Sequence, residues 1–289
     1  MKYTKLGNTG IEVSRICVGC MSYGRASEDF HLWTLPQEET TKMVRHALDL
    51  GVNFFDTANC YSHGTSEEFL GVALKNAGVP RDKVIVASKV YFNDGHLSKV
   101  AIEREIDGTL RRLGTDYLDL YQIHRFDYTT PIEETMSALD ALVKSGKVRA
   151  IGVSNFMPHH LEELLETAEI VPMVNQIEVH PGWLQSEAVT FCKEHNILVE
   201  AWSPLGRSAV LENETLAELA AKYGCSTAQL CIRWVLQHGI LPLPKSVHPE
   251  RMQANADVFG FVIDEADMAR IDGLRDIGGA MRDPDDVDF

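Results

Sequence analysis

Residues 38–56 read EETTKMVRHALDLGVNFFD and contain one complete helix-to-strand unit. Apolar side chains recur at helical spacing through Glu38–Leu50, which predicts an amphipathic helix. Gly51 follows as a C-terminal stop signal. The apolar run Asn53–Asp56 then predicts a buried strand. The rest of the chain repeats this unit, so the stretch indicates the architecture of the whole.

Strand-like and helix-like segments alternate along the chain. The eight candidate strands are Ile16–Gly19, Asn53–Asp56, Val84–Lys89, Leu118–His124, Arg149–Ser154, Val174–Glu178, Leu198–Trp202 and Ile240–Pro244. Between or after them, helices are predicted over Glu38–Leu50, Ser66–Ala77, Ser98–Leu113, Pro131–Lys144, Pro158–Ala168, Gln185–Glu194, Leu216–Tyr223 and Ser226–Gln237. This pattern predicts an α/β fold, a (β/α)8 TIM barrel.

The predicted barrel has additions at both ends. A hairpin from Tyr3 to Ser14 is expected to cap its bottom, and extra C-terminal helices are predicted over Pro249–Ala256 and Asp264–Leu274. An open doubly wound sheet is the alternative, but no G-x-G-x-x-G follows the first strand. The 289 residues suit one barrel domain spanning 1–289.

Composition limits the classes of partner. The formal net charge is -15, from 27 basic and 42 acidic residues, which argues against nucleic acid and anionic membranes. The N-terminus lacks a signal-peptide core, and no run approaches the roughly 18 apolar residues of a membrane span. The 6 scattered cysteines indicate reduced thiols rather than a zinc site, so we expect a cytoplasmic protein without a metal. The sequence does not require an oligomer.

Four residues after short apolar runs suggest chemistry: Asp56, Tyr61, Lys89 and His124, which we place at four strand ends on one rim. A free phenol titrates near about pH 10, and a nearby ammonium lowers that value. Asp56 can hold Lys89 in place, while the imidazole of His124 can orient a substrate oxygen. Each of these residues alone is more often structural. Together they predict a phenol that hands a proton to a carbonyl.

The same segments resemble the aldo-keto reductase family along nearly the whole chain. The motifs that carry the resemblance are Gly51–Ala58 with Tyr61, Ala87–Lys89, Leu113–Leu120, Gln122–His124, Gly152–Phe156 and Pro244–Val247. The resemblance implies a (β/α)8 barrel, carbonyl reduction with NADPH (NADP+), and a catalytic tetrad of Asp56, Tyr61, Lys89 and His124. Tyr61 is then the proton donor.

The resemblance also implies where the cofactor binds. Ser154, Asn155 and Gln176 match the residues that hold the nicotinamide carboxamide. Trp202 can stack on the ring, and Ser203 and Leu205 would run past the pyrophosphate. The late basic group is expected to bind the 2′-phosphate and adenosine; its residues are Lys245, Ser246, Arg251 and Asn255.

The loop Ser22–Gln37 is long for a connection at the catalytic rim, and it contains Tyr23, Phe30, His31 and Trp33. Tyr23 and Trp33 are predicted to contact a small-molecule carbonyl substrate, whose identity the sequence does not reveal. A surface loop folded on its own aromatics is the alternative.

Two other functions remain to be weighed. Some barrels of this family are cofactor-sensing regulatory subunits, so an NADPH-binding sensor with little turnover is an alternative to an enzyme. The sequence argues against a metal-dependent hydrolase, because no H-x-H motif or carboxylate cluster lies at the predicted strand ends.

Overall fold

The computed structural model describes residues 1–286, which fold as a (β/α)8 barrel preceded by a hairpin. The hairpin strands are β1 (Tyr3–Lys5) and β2 (Glu12–Ser14). The parallel barrel strands are β3 (Val18–Gly19), β4 (Phe54–Asp56), β5 (Ile85–Val90), β6 (Leu118–Ile123), β7 (Val148–Ser154), β8 (Val174–Glu178), β9 (Leu198–Trp202) and β10 (Leu241–Pro242).

Helices follow the barrel strands and cover the sheet. They are α1 (Gln37–Asp49), α2 (Thr65–Ala77), α3 (Lys99–Leu113), α4 (Ile132–Lys144), α5 (Pro158–Thr167), α6 (Ser186–Glu194), α7 (Glu214–Lys222), α8 (Thr227–Gln237), α9 (Pro249–Ala256) and α10 (Glu265–Asp272). Within residues 1–286, none of the helices has the length and apolar character needed to cross a membrane.

The barrel strands pair in sequence order from β3 to β10, which excludes the doubly wound alternative. The backbone N–H of Cys17, just before β3, donates to the carbonyl of Pro242 in β10 at 3.1 Å. This bond brings the first and last strands together. Both are shorter than predicted, in part because Pro242 and Pro244 lack the N–H that a longer ladder needs.

The helix bounds lie within two residues of the predicted ones. Helix α7 begins at Glu214 rather than Leu216, because the side chain of Asn213 accepts the N–H of Leu216 at 3.1 Å. Helix α8 begins with the reciprocal capping box of Ser226 and Gln229.

Alternating residues of each strand point into the barrel. The interior apolar cluster contains Phe54 of β4, Ala87 of β5 and Leu120 of β6. Two residues further along each strand, the same alternation brings Asp56, Lys89 and Gln122 to the next layer toward the carboxyl end. The barrel therefore has an apolar floor beneath polar side chains.

The hairpin closes the amino end of the barrel, as predicted. Leu6, Ile11 and Val13 are buried in the interior cluster together with the strand residues. Burying a side chain of this size stabilises a fold by roughly 1.5–3 kcal/mol. The open face is therefore the carboxyl end, where the polar residues lie.

Candidate active site

The four residues of the predicted tetrad come from three strands and the connections that follow them. Asp56 ends β4, Lys89 is the penultimate residue of β5, and His124 directly follows β6. Tyr61 begins a 3-10 turn over Tyr61–Gly64, five residues after β4. The prediction that the four residues lie at four strand ends is therefore wrong, because Asp56 ends β4 and Tyr61 lies in the connection after the same strand.

Lys89 lies at the centre of the group and is fully buried. Its Nζ donates to the Asp56 carboxylate, to the Thr57 carbonyl at 3.0 Å and to the Tyr61 hydroxyl at 3.4 Å. Burial alone would lower the pKa of the Lys89 ammonium, but Asp56 and Tyr61 raise it above its ordinary value. Lys89 is therefore a fixed positive charge next to the phenol.

The phenol itself stays protonated. Burial raises the pKa of Tyr61 to about 12, and this outweighs the opposing influence of Lys89. The prediction that the phenol pKa falls below its ordinary value is wrong for this structure, since desolvation of the phenolate is the larger effect. At neutral pH the hydroxyl is accordingly a proton donor rather than a base.

His124 flanks the phenol as a neutral ring. The ring centroids of His124 and Tyr61 are 5.7 Å apart in an edge-on arrangement, and the Phe92 ring packs against the same imidazole at 5.0 Å. Burial, then the charges of Lys89 and Arg125, lower the pKa of His124 well below its ordinary range. A neutral imidazole offers one N–H donor and one acceptor nitrogen.

Beneath the tetrad lies a network that the sequence reasoning missed in part. Asp56 Oδ2 accepts from the Nε2 of Gln122 at 3.0 Å and from the Nε2 of Gln176 at 3.1 Å. Gln176 Nε2 also donates to Glu200 Oε2 at 2.9 Å. The available signal was a polar residue in each apolar strand, at the inward-facing alternation. This network fixes the carboxylate that holds Lys89.

The predicted nicotinamide-binding residues lie on three neighbouring strands: Ser154 ends β7 and Asn155 follows it, Gln176 is in the middle of β8, and Trp202 ends β9. Asn155 Nδ2 donates to the His124 carbonyl and to Ser154 Oγ, both at 3.0 Å. Its Oδ1 accepts from Trp202 Nε1 at 2.9 Å. Ser154 Oγ donates to the backbone carbonyl of Gln176 at 2.8 Å. These bonds hold the Trp202 indole at the rim beside the tetrad.

The loop after β9 is a series of tight turns. Ser203 has a φ of 48°, and its carbonyl accepts the N–H of Gly206 at 2.8 Å. The carbonyl of Leu205 accepts the N–H of Ser208, also at 2.8 Å. The N–H groups of Gly206 and Ser208 are thus used within the loop, and they fix its turns next to the carboxyl end of β9.

The residues predicted to bind the 2′-phosphate and adenosine lie in two segments. Lys245 and Ser246 follow β10, while Arg251 and Asn255 lie one turn apart on α9. Ser246 and Asn255 line the same small pocket with Met252. Two cations, a hydroxyl and a helix with Pro249 at its first turn fit an anionic phosphate in donor chemistry.

The long loop between β3 and α1 reaches both ends of this rim. Phe30 lies 6.5 Å from the Tyr61 ring, and Lys245 Nζ lies 4.0 Å from the ring centre of Trp33. Trp33 is 44% exposed and stacks on His31. Tyr23, by contrast, is fully buried in the outer core, so the structure does not bring it to the surface of the pocket.

The C-terminal tail crosses the same rim. Glu178 at the end of β8 accepts the backbone N–H groups of Ala280 at 2.7 Å and Met281 at 2.8 Å. A side chain at Gly279 would collide with His180, which explains why a glycine with a φ of 103° occupies this position. The tail is therefore fixed across the carboxyl end of β8.

Further along the tail, Asp285 meets two histidines of α5. His159 Nε2 and His160 Nε2 lie 3.2 and 3.1 Å from its carboxylate, and the three could together approach a metal ion. However, the backbone N–H of Met157 donates to His160 Nδ1 at 3.1 Å, which leaves the ring proton on Nε2. The arrangement favours direct hydrogen bonding that anchors the tail.

Comparison with known proteins agrees with this geometry. The model of the Aldo/keto reductase family matches residues 15–276. The chain belongs to the aldo-keto reductase family. It is 43% identical to glyoxal reductase of Bacillus subtilis (strain 168), over 87% of this chain and 89% of that protein. It is 44% identical to 9,11-endoperoxide prostaglandin H2 reductase of Trypanosoma cruzi (strain CL Brener), with 86% of each covered.

Among solved structures, a mutant of Gox0644 in complex with NADPH matches with a TM-score of 0.84 and 35% identity. The match covers 100% of this chain and 99% of that one. This aldo-keto reductase is therefore an oxidoreductase that reduces carbonyl groups with a nicotinamide cofactor. Nothing in these relatives supports the regulatory alternative.

Proposed function

We propose that this chain is an NADPH-dependent reductase of small aldehydes and ketones, with Tyr61 as proton donor. The observation that carries the proposal is the buried Lys89 ammonium between the Asp56 carboxylate and the Tyr61 hydroxyl. A structural ion pair has no need of a third group that can release a proton. A phenol at the rim of an open barrel end is placed to meet a ligand.

In the proposed reaction, a bound nicotinamide supplies the hydride. Tyr61 donates its hydroxyl proton to the substrate oxygen as negative charge develops there. Lys89, held charged by Asp56, stabilises the phenolate that remains. His124 donates its N–H to the same oxygen and fixes its position. Asn155 and Trp202, hydrogen-bonded to each other at 2.9 Å, would help to hold the nicotinamide when it is bound.

Small dicarbonyls are the substrate class that we propose to test first. One relative is named a glyoxal reductase, and the rings of Phe30 and Phe92 lie next to those of Tyr61 and His124. Trp33 remains a proposed substrate contact. The six cysteines are all free thiols, which supports a reducing compartment such as the cytoplasm.

Turnover of NADPH with glyoxal and other aldehydes tests the function. We expect continued loss of NADPH absorbance over many catalytic cycles per enzyme molecule, with formation of the matching alcohol. A burst limited to about one cofactor per protein across the whole aldehyde panel would contradict a reductase and favour a sensor.

Replacing Lys245 with Ala tests the proposed phosphate site. We expect the Kd for NADPH to rise about tenfold or more, since a charge-assisted hydrogen bond is worth about 1.5–3 kcal/mol. The Kd for NADH should change little, because it lacks the phosphate. Lys144→Ala is the matched control, since Lys144 is an exposed lysine at the end of α4 that forms an ion pair with Glu169. Equal weakening of both cofactors, or no preference for NADPH in the wild type, would rule the site out.

A further inference from the structure

A buried carboxyl group that the proposed mechanism does not use lies below the tetrad. Glu200 is in β9, two residues before Trp202, and is fully buried. Its Oε2 accepts the hydrogen bond from Gln176, while its Oε1 has no hydrogen-bond partner among residues 1–286. A buried polar atom without a partner is costly. An apolar side chain would make a more stable core, so the group invites a functional explanation.

Glu200 and Asp56 share one amide group. The two hydrogens of Gln176 Nε2 are directed to Asp56 Oδ2 at 3.1 Å and to Glu200 Oε2 at 2.9 Å. If the side-chain amide of Gln176 were flipped, its Oε1 would face the Asp56 carboxylate, which can only accept hydrogen bonds. Asp56 Oδ2 also accepts a hydrogen bond from Gln122. Glu200 therefore supplies a second acceptor that fixes the Gln176 amide. Both donors of the amide are thereby used inside the barrel.

The anchor does not depend on a negative charge. Burial and then the Asp56 charge raise the pKa of Glu200 to about 8, so the carboxyl group holds a proton at neutral pH. Its unprotonated oxygen still accepts from Gln176. The barrel thus gains an acceptor without a second buried negative charge beside Asp56.

We propose that Glu200 is a positioning residue. It holds the side-chain amide of Gln176 so that Oε1 is the only hydrogen-bonding atom of that amide left for a nicotinamide carboxamide. This inference rests on the proposed cofactor site. It assigns to Gln176 the role of acceptor from the carboxamide NH2. Glu200 touches neither cofactor nor substrate and acts only through Gln176.

Two ligands separate this role from a general effect on folding. We would measure, by isothermal titration calorimetry, the Kd of NADP+ and of 2′-phospho-ADP-ribose, which lacks the nicotinamide ring. In Glu200→Met the acceptor is lost, and we expect NADP+ to bind about tenfold more weakly, equal to about 1.4 kcal/mol. Binding of 2′-phospho-ADP-ribose should be unchanged. Glu200→Gln keeps an acceptor oxygen and should restore most of the NADP+ affinity.

Val199→Ala is the matched control, because Val199 is the neighbouring residue of β9 and is buried in the outer core on the other face of the sheet. It should leave the ratio of the two Kd values unchanged. Glu200→Met is expected to stay folded, because it removes a buried oxygen that has no partner among residues 1–286 and leaves one Gln176 N–H without its acceptor, which costs about 1–3 kcal/mol. Thermal unfolding of each variant checks this.

Three results would overturn the role of Glu200. They are unchanged NADP+ binding in Glu200→Met, equal weakening of both ligands, or a Glu200→Gln variant as weak as Glu200→Met. Failure of the proposed function looks different: the wild type would bind neither ligand, or would bind both with no gain from the nicotinamide ring.

Discussion

Tyr61→Phe is expected to lower kcat for aldehyde reduction by about a hundredfold or more, while the Kd for NADPH changes little. Proton transfer from a positioned side chain typically contributes about 10²–10⁴-fold. The substitution removes one oxygen and keeps the ring that packs on His124 at 5.7 Å. Since Lys89 retains Asp56 and the Thr57 carbonyl as partners, the charge beneath the site is preserved. Single-turnover kinetics with saturating NADPH would measure the loss in the chemical step.

A matched control distinguishes loss of the proton from loss of any buried tyrosine hydroxyl. Tyr121 is fully buried in β6, and its hydroxyl has no hydrogen-bond partner within residues 1–286. Tyr121→Phe should therefore leave kcat close to that of the wild type. If Tyr61→Phe kept its kcat for a good aldehyde substrate, the assignment of the proton donor would be wrong.

Lys89→Met is expected to destabilise the barrel by about 3–5 kcal/mol as well as to abolish turnover. The substitution leaves the Asp56 carboxylate buried without its counter-charge, and breaking one side of a buried pair typically costs this much. Among residues 1–286, the side-chain donors left to the Asp56 carboxylate would be the amides of Gln122 and Gln176. Denaturant unfolding monitored by circular dichroism gives the free energy of unfolding.

The double variant Asp56→Asn/Lys89→Met provides the control for this prediction. Removing both charges should recover most of the lost stability, because no unpaired charge remains, but it should not recover activity. Lys144→Ala removes a surface ion pair and should cost no more than about 1 kcal/mol. A Lys89→Met variant as stable as the wild type would show that the pair is not a buried charge couple.

The barrel and the tetrad could be predicted because their signals are local and repeated. Several predicted apolar runs end in a polar residue, such as Asp56, Lys89 and His124, and strands that pair in sequence order bring those ends together. The family resemblance, confirmed by the match over residues 15–276, adds the order of the motifs. The single-domain organisation and the roles of the individual site residues stay predictions.

Other features depend on distant residues whose proximity no local pattern encodes. From the sequence, Lys245 is predicted in a cofactor site and Trp33 in a substrate pocket, but in the structure Lys245 Nζ lies 4.0 Å from the centre of the Trp33 ring. A nearby charge alone predicts a lowered phenol pKa, but the depth of burial decides its direction. In the sequence, Glu200 is simply one residue of an apolar strand, and its link to Asp56 through Gln176 exists only in three dimensions.

The hairpin at the amino end of the barrel also limits where a ligand can reach the tetrad. Leu6, Ile11 and Val13 pack across that end onto the interior apolar cluster, so among residues 1–286 the carboxyl end is the face left for ligands. In the proposed reaction, a cofactor and a carbonyl compound would therefore approach Tyr61 from the same side. The hairpin, far from the chemistry, thus makes the two ligands share one route of entry.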